Sequence, residues 1–326
     1  MGGNEGVAEV QAVGPGVQHL SPGVRVPPPM RQLSPPSSRV WLDAIATALT
    51  CHPYTQDWVL PPAGGGFGTW RSHAVAVAST LRPCPPGLPV EAAATLSVNP
   101  VTALRLLSDF AALQPGDVVV QNAANSAVGR AVIQMGTARG LRVACIVRDR
   151  DGADAVIAEL LALGAAAAVR SGHSRTDPVL AALPQGALGL NAVGGPSAGE
   201  VARLLRPGAR LVTYGGMSKL PVTLPTSAFI FRDLVACGFW LTSWSRSANE
   251  ADVGAALEAC AALVRGGTSR VVGTGSATGG AASGRSAVSR AIAASTGSAC
   301  SAVSRPLSRA PTVCRASASS ASRACP

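Results

Sequence analysis

The strongest constraint on the fold is a strand, turn and helix pattern that begins at Asp117. An apolar run, Val118 to Gln121, leads into a turn of small and polar residues that ends at Gly129, and an apolar helical segment follows. Such a turn aims backbone N–H groups and the positive end of the helix dipole at a phosphate. A second apolar run further along ends at Arg148-Asp-Arg150. The tip of that strand meets the ribose of a bound dinucleotide, and guanidinium groups suit a 2′-phosphate, so the pattern predicts NADPH.

Strand-like and helix-like segments alternate from Val101 onward. This alternation predicts an α/β fold, a Rossmann-type doubly wound parallel sheet with helices on both faces. The predicted strands are Val118 to Gln121, Val143 to Val147, Ala165 to Val169, Leu188 to Val193 and Arg210 to Tyr214; the predicted helices are Val128 to Arg139, Asp154 to Leu163 and Ser197 to Leu205.

The first hundred residues have a different texture. Short strands are predicted at Gly6 to Val13, Trp58 to Leu60 and His73 to Ala78, separated by Gly and Pro turns, which indicates a small β-barrel-like region. Residues 24–56 begin rich in Pro and Ser, and the apolar piece Trp41 to Leu49 is helix-like. This segment is interpreted either as a lid or partner-binding insert or as a poorly ordered insertion, which loop-length statistics favour.

The formal charge of +10 belongs mostly to the C-terminal segment. Residues 268–326 contain seven arginines and no Asp, Glu or Lys, so this segment carries +7 and the rest carries 10 − 7 = +3. Its Ser, Ala, Gly and Arg composition predicts disorder. The functional interpretation is an arm for nucleic acid or an anionic surface, and the simpler one is a low-complexity end. We therefore expect no nucleic-acid-binding surface on the folded part.

Several other classes of protein are disfavoured by composition. The eight cysteines form no C-x-x-C pair, so neither a structural zinc site nor a disulfide framework is predicted. The longest apolar runs are interrupted well before membrane-spanning length, so we expect no membrane span. The N-terminus, Met1 to Glu5, carries no recognisable targeting signal.

Nine motifs, taken in order, resemble one family, the mitochondrial enoyl-[acyl-carrier-protein] (trans-2-enoyl-CoA) reductases of the zinc-free medium-chain dehydrogenase/reductase superfamily. The match covers Gly2 to Gly23 and Asp57 to about Gly267. The motifs are Gly2-Gly-Asn-Glu-Gly6, Phe67-Gly-Thr-Trp70, Ala92 to Pro100, Leu113-Gln-Pro-Gly-Asp117, Gln121 to Gln134, Val147-Arg-Asp-Arg150, Asn191-Ala-Val-Gly-Gly195, Val212-Thr-Tyr-Gly-Gly-Met217 and Gly238-Phe-Trp-Leu241.

The resemblance implies a domain organisation. Residues 1–100 would form a partial GroES-like catalytic domain, an incomplete β-barrel interrupted by the insert 24–56. Residues 101–240 would form the NADPH-binding Rossmann domain, residues 241–267 a return segment toward the catalytic domain, and residues 268–326 a disordered tail. The resemblance also implies a mitochondrial protein that forms homodimers through the nucleotide-domain sheet. No metal is expected, because Asn4 stands where zinc-dependent relatives carry histidine.

The activity implied by the resemblance is NADPH-dependent reduction of the trans-2 double bond of an enoyl thioester, carried by acyl carrier protein or CoA. Asn99 would contact the nicotinamide end; Asn125, Ser126, Ala127 and Val128 would form the phosphate turn; Arg148, Asp149 and Arg150 would hold the 2′-phosphate and ribose; Tyr214, Gly215, Gly216, Met217, Phe239, Trp240 and Leu241 would line the nicotinamide and substrate side. The proton-donating tyrosine of the family lies upstream of the Gly2 to Gly6 motif, at which this chain begins, so no catalytic residue is predicted within it.

Two other functions remain open at this stage. A zinc-free NADPH:quinone oxidoreductase would share the nucleotide domain, and a non-catalytic NADPH-binding protein would need no proton donor. Simpler explanations also exist for the predicted site residues. Gly215 and Gly216 are also typical of a turn at the end of a strand. Phe239 and Trp240 are typical of a hydrophobic core, and Arg148 and Arg150 are typical of a solvated edge.

Overall fold

The computed structural model describes residues 5–20, 39–44, 58–60, 69 and 73–267 of the chain. These residues form two sheets, one antiparallel and one parallel, with helices packed mainly around the second. The strands are β1 Ala8–Val13, β2 Arg39–Ala44, β3 Trp58–Leu60, β4 His73–Val77, β5 Arg82–Pro83, β6 Val118–Asn122, β7 Arg142–Val147, β8 Ala167–Arg170, β9 Gly186–Asn191, β10 Leu205–Thr213 and β11 Val235–Gly238. The helices are α1 Val90–Ala94, α2 Asn99–Asp109, α3 Ala127–Ala138, α4 Ala153–Ala162, α5 Pro178–Ala181, α6 Gly195–Arg203, α7 Thr226–Ile230, α8 Leu241–Ser247 and α9 Glu250–Arg265.

The parallel sheet confirms the predicted α/β fold. Its six strands run in the order β8-β7-β6-β9-β10-β11, and all the pairings are parallel. Counted from β6, this is the 3-2-1-4-5-6 order of a dinucleotide-binding sheet. The largest difference from the prediction is β10, which begins at Leu205 instead of Arg210, with a register irregularity between these residues. Strand β11 was not predicted.

Alternate residues of the strands face opposite layers of helices. Val119, Cys145 and Leu188 point to a core shared with α2, α3 and α9. Val120 and Ile146 point to the other face, whose core includes residues of α5, α6 and α7. Because both faces are covered, the central strands are apolar throughout, and this is why they were predictable as continuous apolar runs.

The antiparallel sheet has the order β4-β2-β1-β3-β5 and a small separate core. The prediction of a helix over Trp41 to Leu49 is wrong where the structure describes it, because Arg39–Ala44 is a strand that pairs with both β1 and β4. A short apolar run suits either structure, and here the ladder bonds offered by β1 and β4 favour the strand. The rest of the insert, residues 24–38 and 45–56, lies outside the described residues, as does the tail 268–326.

Helix α9 connects the two sheets. It packs against α2 beside the parallel sheet. At its first residue, Glu250 accepts a hydrogen bond from Arg82 of β5 at 2.9 Å, and at its last residue Arg265 donates to the carbonyl of Pro86 at 3.1 Å. In the ranges that the structure describes, none of the helices has the length and apolarity that a bilayer span requires.

Candidate functional site

The candidate site is a cavity of about 780 Å³ at the carboxyl ends of the parallel strands. Asn122 of β6, Arg148 after β7, Ala192 after β9 and Tyr214 after β10 all line it. The strand order reverses between β6 and β9, and ligands of open α/β sheets bind at this switch point. The start of α2 and the segment after β11 form the other walls.

The turn between β6 and α3 is held rigidly by its own residues. Ala123 adopts a left-handed conformation with φ of +48°, and Ser126 caps α3 by accepting a hydrogen bond from the amide of Gly129 at 3.1 Å. Arg130 donates to the carbonyl of Asn125 at 3.1 Å. The turn is therefore preorganised, and the N-terminus of α3 borders the cavity as an anion-binding site requires.

Gly129 is required by close packing between this turn and the first turn of α3. A Cβ on Gly129 would lie 2.5 Å from the carbonyl oxygen of Ala124, which is backbone and cannot move aside cheaply. The neighbouring Ala127, the first residue of α3, does not line the cavity.

A buried amide network joins the ends of three strands beneath the cavity. Asn122 of β6 donates to the side-chain oxygen of Asn191 of β9 at 2.8 Å and accepts from the amide of Ala192 at 2.8 Å. Asn191 in turn donates to the hydroxyl of Thr213 at the end of β10 at 3.0 Å. Asn122 and Asn191 are almost fully buried, so their satisfied hydrogen bonds set the relative positions of these strands.

The tip of β7 presents two arginines to the cavity. Arg148 and Arg150 line it, and neither makes an ion pair within the part of the chain that the structure describes. Asp149, between them, does not line the cavity, and its carboxylate is 2.8 Å from the guanidinium of Arg170 on β8. Asp149 is thus separated from the two arginines with which it was predicted to hold the 2′-phosphate and ribose, and that role stays a prediction.

Tyr214 contributes to the cavity a partly buried phenol whose hydroxyl oxygen is buried. Its hydroxyl has no hydrogen-bond partner of good geometry, although it lies close enough to Ser126 for that side chain to have a small lowering effect on its pKa. Burial is the larger effect and raises the pKa of Tyr214 to about 12. The phenol thus stays neutral near pH 7 and can donate a hydrogen bond to a ligand beside the phosphate turn.

Asn99 lies in the wall that the first turn of α2 forms, and Glu5 holds its side chain. Its side-chain amide donates to Glu5 Oε1 at 3.2 Å, while Glu5 Oε2 is buried without a partner. Burial raises the pKa of Glu5 above its ordinary value, and a hydrogen bond from the backbone of Val98 acts in the opposite direction. Glu5 belongs to the Gly2 to Gly6 motif but is not among the predicted site residues.

The segment after β11 supplies an apolar wall. Phe239 packs edge to face against Phe110, with ring centroids 5.8 Å apart, so one side of its ring belongs to the core while it also lines the cavity. Trp240, 64% exposed, and Met217, 71% exposed, line the cavity with much of their apolar surface facing solvent. Such exposure of large apolar side chains suits a site for a partly apolar ligand.

Twelve of the fifteen predicted site residues line this one cavity. They are Asn99, Asn125, Ser126, Val128, Arg148, Arg150, Tyr214, Gly215, Met217, Phe239, Trp240 and Leu241; the three that do not are Ala127, Asp149 and Gly216. Their roles in binding stay predictions.

Sequence reasoning missed several lining residues, including Thr102, Asn122, Ser171, Ser197 and Thr242. The signal that could have identified two of them is their position in the chain, because Asn122 and Ser171 each follow closely after a predicted strand. No group of three or more His, Cys, Asp or Glu side chains that could hold a metal ion occurs among residues with described positions.

Replacing Gly129 with alanine should lower the free energy of unfolding by about 1–3 kcal/mol, because the new methyl group would overlap the Ala124 backbone. The matched control is Gly254→Ala, an exposed glycine of α9 where an added methyl group would have nothing within 4 Å, which should raise stability by about 1 kcal/mol through helix propensity. Urea unfolding measures both changes. Equal effects of the two substitutions would contradict the close packing at the turn.

The curated proteins that this chain resembles include mitochondrial enoyl-[acyl-carrier-protein] reductases from several organisms. The mitochondrial enoyl-[acyl-carrier-protein] reductase of Rattus norvegicus is 42% identical over 250 residues, which is 76% of this chain and 58% of that protein. The Xenopus tropicalis protein of the same name is 41% identical over 256 residues, 77% of this chain and 63% of that protein. The chain thus spans about three fifths of the length of the curated relatives it matches. No family model matches it.

Solved structures show the same relationship. A mutant form of enoyl thioester reductase from Candida tropicalis superposes with a TM-score of 0.62 at 28% identity, covering 83% of both chains. A complex of Etr1p with NADP and crotonyl-CoA gives 0.62 at 29% identity over 82% of both chains. The sequence and structure likenesses agree: over about three quarters of its length the chain is similar to mitochondrial enoyl-[acyl-carrier-protein] reductases, and its fold is that of solved enoyl thioester reductases.

Proposed function

We propose that this chain reduces the trans-2 double bond of enoyl thioesters with NADPH, in mitochondrial fatty acid synthesis. The observation that carries the proposal is the pairing, in one cavity, of the capped turn at α3 with the arginines of the β7 tip. The first suits a pyrophosphate and the second a 2′-phosphate. Similarity to a reductase whose structure holds NADP and crotonyl-CoA supports the assignment of both ligands.

The residues present fit the dinucleotide along its length. After the turn at Asn125 and Ser126, the first residues of α3, Ala127 and Val128, offer backbone N–H groups that the helix itself does not use. Arg148 and Arg150 carry charges that no described ion pair uses. The buried and unpaired hydroxyl of Tyr214 is a further donor. We propose that the predicted cofactor-binding residues that line the cavity act in these roles.

The apolar wall is proposed as the nicotinamide and substrate end. When bound there, NADPH would supply a hydride to the β-carbon of the enoyl thioester; the π electrons would move to the α-carbon, which would take a proton from water. Phe239, Trp240 and Leu241 would exclude bulk water from this end, and Asn99, oriented by Glu5, would position the reacting groups by hydrogen bonding. We do not assign Tyr214 as the acid that protonates the α-carbon, because its hydroxyl lies beside Ser126 at the phosphate turn.

The leading alternative is reduction of a quinone by the same cofactor. A putative NADPH:quinone reductase from Bacillus thuringiensis shares the fold with a TM-score of 0.58, but at 22% identity this likeness concerns the fold alone. The curated relatives at over 40% identity favour the enoyl thioester. Acyl carrier protein and CoA are both proposed as carriers of the acyl chain.

The activity is tested by following NADPH absorbance at 340 nm with trans-2-hexenoyl-CoA and, separately, with menadione. We expect oxidation with the thioester and formation of hexanoyl-CoA. Replacing Arg148 and Arg150 together by glutamine should raise the KM for NADPH by about tenfold or more and change kcat little, because both charges are used in binding. The matched control, Arg142→Gln, removes an exposed charge at the opposite end of β7 and should change neither.

Two results would contradict this proposal. Oxidation of NADPH with menadione but not with the enoyl thioester would assign the quinone activity. Tight NADPH binding without turnover of either substrate would identify a non-catalytic nucleotide-binding protein.

We further propose a homodimer formed through β11. This strand pairs with β10 on one side, and its other edge has no partner among the strands that the structure describes. Exposed apolar side chains cluster beside it: Phe229, Ile230, Phe231 and Val235, of which Phe231 is 79% exposed. A free strand edge beside apolar side chains is a template for pairing with a second copy. The Etr1p/Etr2p heterodimer of Candida tropicalis shows that a similar protein forms dimers.

Substituting Ile230, which is 67% exposed, by glutamate should convert the dimer to a monomer, because two carboxylates would be brought into the apolar contact. The control is Val179→Glu, a similarly exposed apolar residue on α5, which packs against β8 at the far edge of the sheet. Size-exclusion chromatography with light scattering gives the mass of each. A wild-type monomer, or a dimer unaffected by Ile230→Glu, would contradict the proposed interface.

A further inference from the structure

Arg170 was not identified from the sequence, yet it lies directly beside the proposed 2′-phosphate site. It is the last residue of β8, and in the parallel ladder it is the partner of Val147, the last residue of β7. The carboxyl ends of neighbouring parallel strands meet at one edge of the sheet. Arg170 is therefore adjacent to the Arg148-Asp149-Arg150 tip.

The guanidinium of Arg170 bridges two carboxylates. Its Nη1 donates to Asp149 Oδ1 at 2.8 Å, and its Nη2 lies 2.8 Å from Asp154 Oδ2 on α4. His173 Nε2 lies 3.9 Å from the other oxygen of Asp149, a weaker contact. Glu200, the buried carboxylate nearby, is engaged by the hydroxyl of Ser171 at 2.7 Å and the amide of Gly172 at 2.6 Å. Arg170 thus takes up the charge of Asp149 in the described structure.

This pairing decides which charges face the cavity. Arg148 and Arg150 line it and Asp149 does not. Without Arg170, the Asp149 carboxylate would keep only the long contact with His173, and as an unpaired negative charge between Arg148 and Arg150 in the chain it would oppose a bound 2′-phosphate. An acidic residue at the tip of this strand is also what NAD-binding sheets use to accept hydrogen bonds from the ribose 2′-hydroxyl.

We propose that Arg170 is a specificity-determining residue, which favours NADPH over NADH by holding Asp149 away from the adenosine ribose. This inference rests on the proposed use of NADPH. Arg170 acts through Asp149 and is a positioning residue, since it does not itself line the cavity. The effect of removing Arg170 should therefore depend on the presence of the Asp149 carboxylate, which a double-mutant cycle measures.

The test is the ratio of dissociation constants for NADH and NADPH, measured by fluorescence titration of the full chain. Arg170→Met should lower the preference for NADPH about fivefold, a size suited to an exposed ion pair. The double variant Arg170→Met with Asp149→Asn should restore the preference, because the Asp149 carboxylate is gone; Asp154, the other carboxylate that loses its partner, lies on α4 and does not line the cavity. Arg175→Met is the control: it removes an exposed charge from the loop after β8 without freeing a carboxylate, and should leave the ratio unchanged.

A salt series gives a second measurement. The side chains of Arg170 and Asp149 are 33% and 48% exposed, so the difference in cofactor preference between wild type and Arg170→Met should shrink between 0.1 and 1 M salt, where the screening length falls from about 10 to about 3 Å.

If Arg170→Met proves unstable by circular dichroism, Asp149→Asn alone still tests the role of the carboxylate. It should retain at least the wild-type preference for NADPH, whereas a direct role of Asp149 in ribose binding would weaken both cofactors.

An unchanged ratio in Arg170→Met, or a loss that Asp149→Asn does not rescue, would overturn the inference while leaving enoyl reduction intact. Conversely, a chain that shows the predicted ratios but does not reduce the enoyl thioester would overturn the proposed reaction alone. A wild-type chain that prefers NADH to NADPH would overturn both the inference about Arg170 and the proposed use of NADPH.

Discussion

The close contact between Gly129 and the backbone of Ala124 is the constraint on which the site depends. It brings the first turn of α3 directly against the end of β6, where a side chain of any size would push the two apart. The start of α3 then borders the cavity at Val128, and the Ser126 cap closes the first turn of the helix. Because β6 and β9 are joined by the Asn122 and Asn191 amides, the same contact also sets the position of the turn relative to the opposite strand ends.

The charged side chains around the cavity add to the geometry that the backbone of the turn sets. Among the described residues around the cavity, Arg148 and Arg150 lie at one end without ion pairs. The neutral phenol of Tyr214, with its buried hydroxyl, lies between them and the apolar wall. Asp149 would disturb this arrangement if it were unpaired, and Arg170 from the adjacent strand neutralises it. The charge pattern at the adenosine end is thus a property of two neighbouring strands together, which explains why a motif on one strand alone describes it incompletely.

Much of the fold was predictable because the central strands are buried on both faces and appear as apolar runs that end in turns. Strand β11 was missed because it is short and largely exposed, so its sequence lacks that pattern. The start of the helix-like segment Trp41 to Leu49 was wrongly predicted, because a short apolar run suits a helix as well as a strand and the partners of this strand on β1 and β4 are distant in sequence. For the site, the family motifs led to twelve of the twenty-five residues that line the cavity. The pairings of Glu5 with Asn99 and of Asp149 with Arg170 carry no local signal, since they arise only when separate elements pack together.

The central claim is that the cavity at the β6 and β9 switch point holds NADPH, with the adenosine end at the tip of β7. A crystal structure of the chain with NADPH tests it most directly. We predict the 2′-phosphate within hydrogen-bond distance, about 2.7–2.9 Å, of both Arg148 and Arg150, the pyrophosphate at the turn before α3, and the nicotinamide near Phe239. A dinucleotide bound elsewhere, or one whose 2′-phosphate contacts neither arginine, would contradict it.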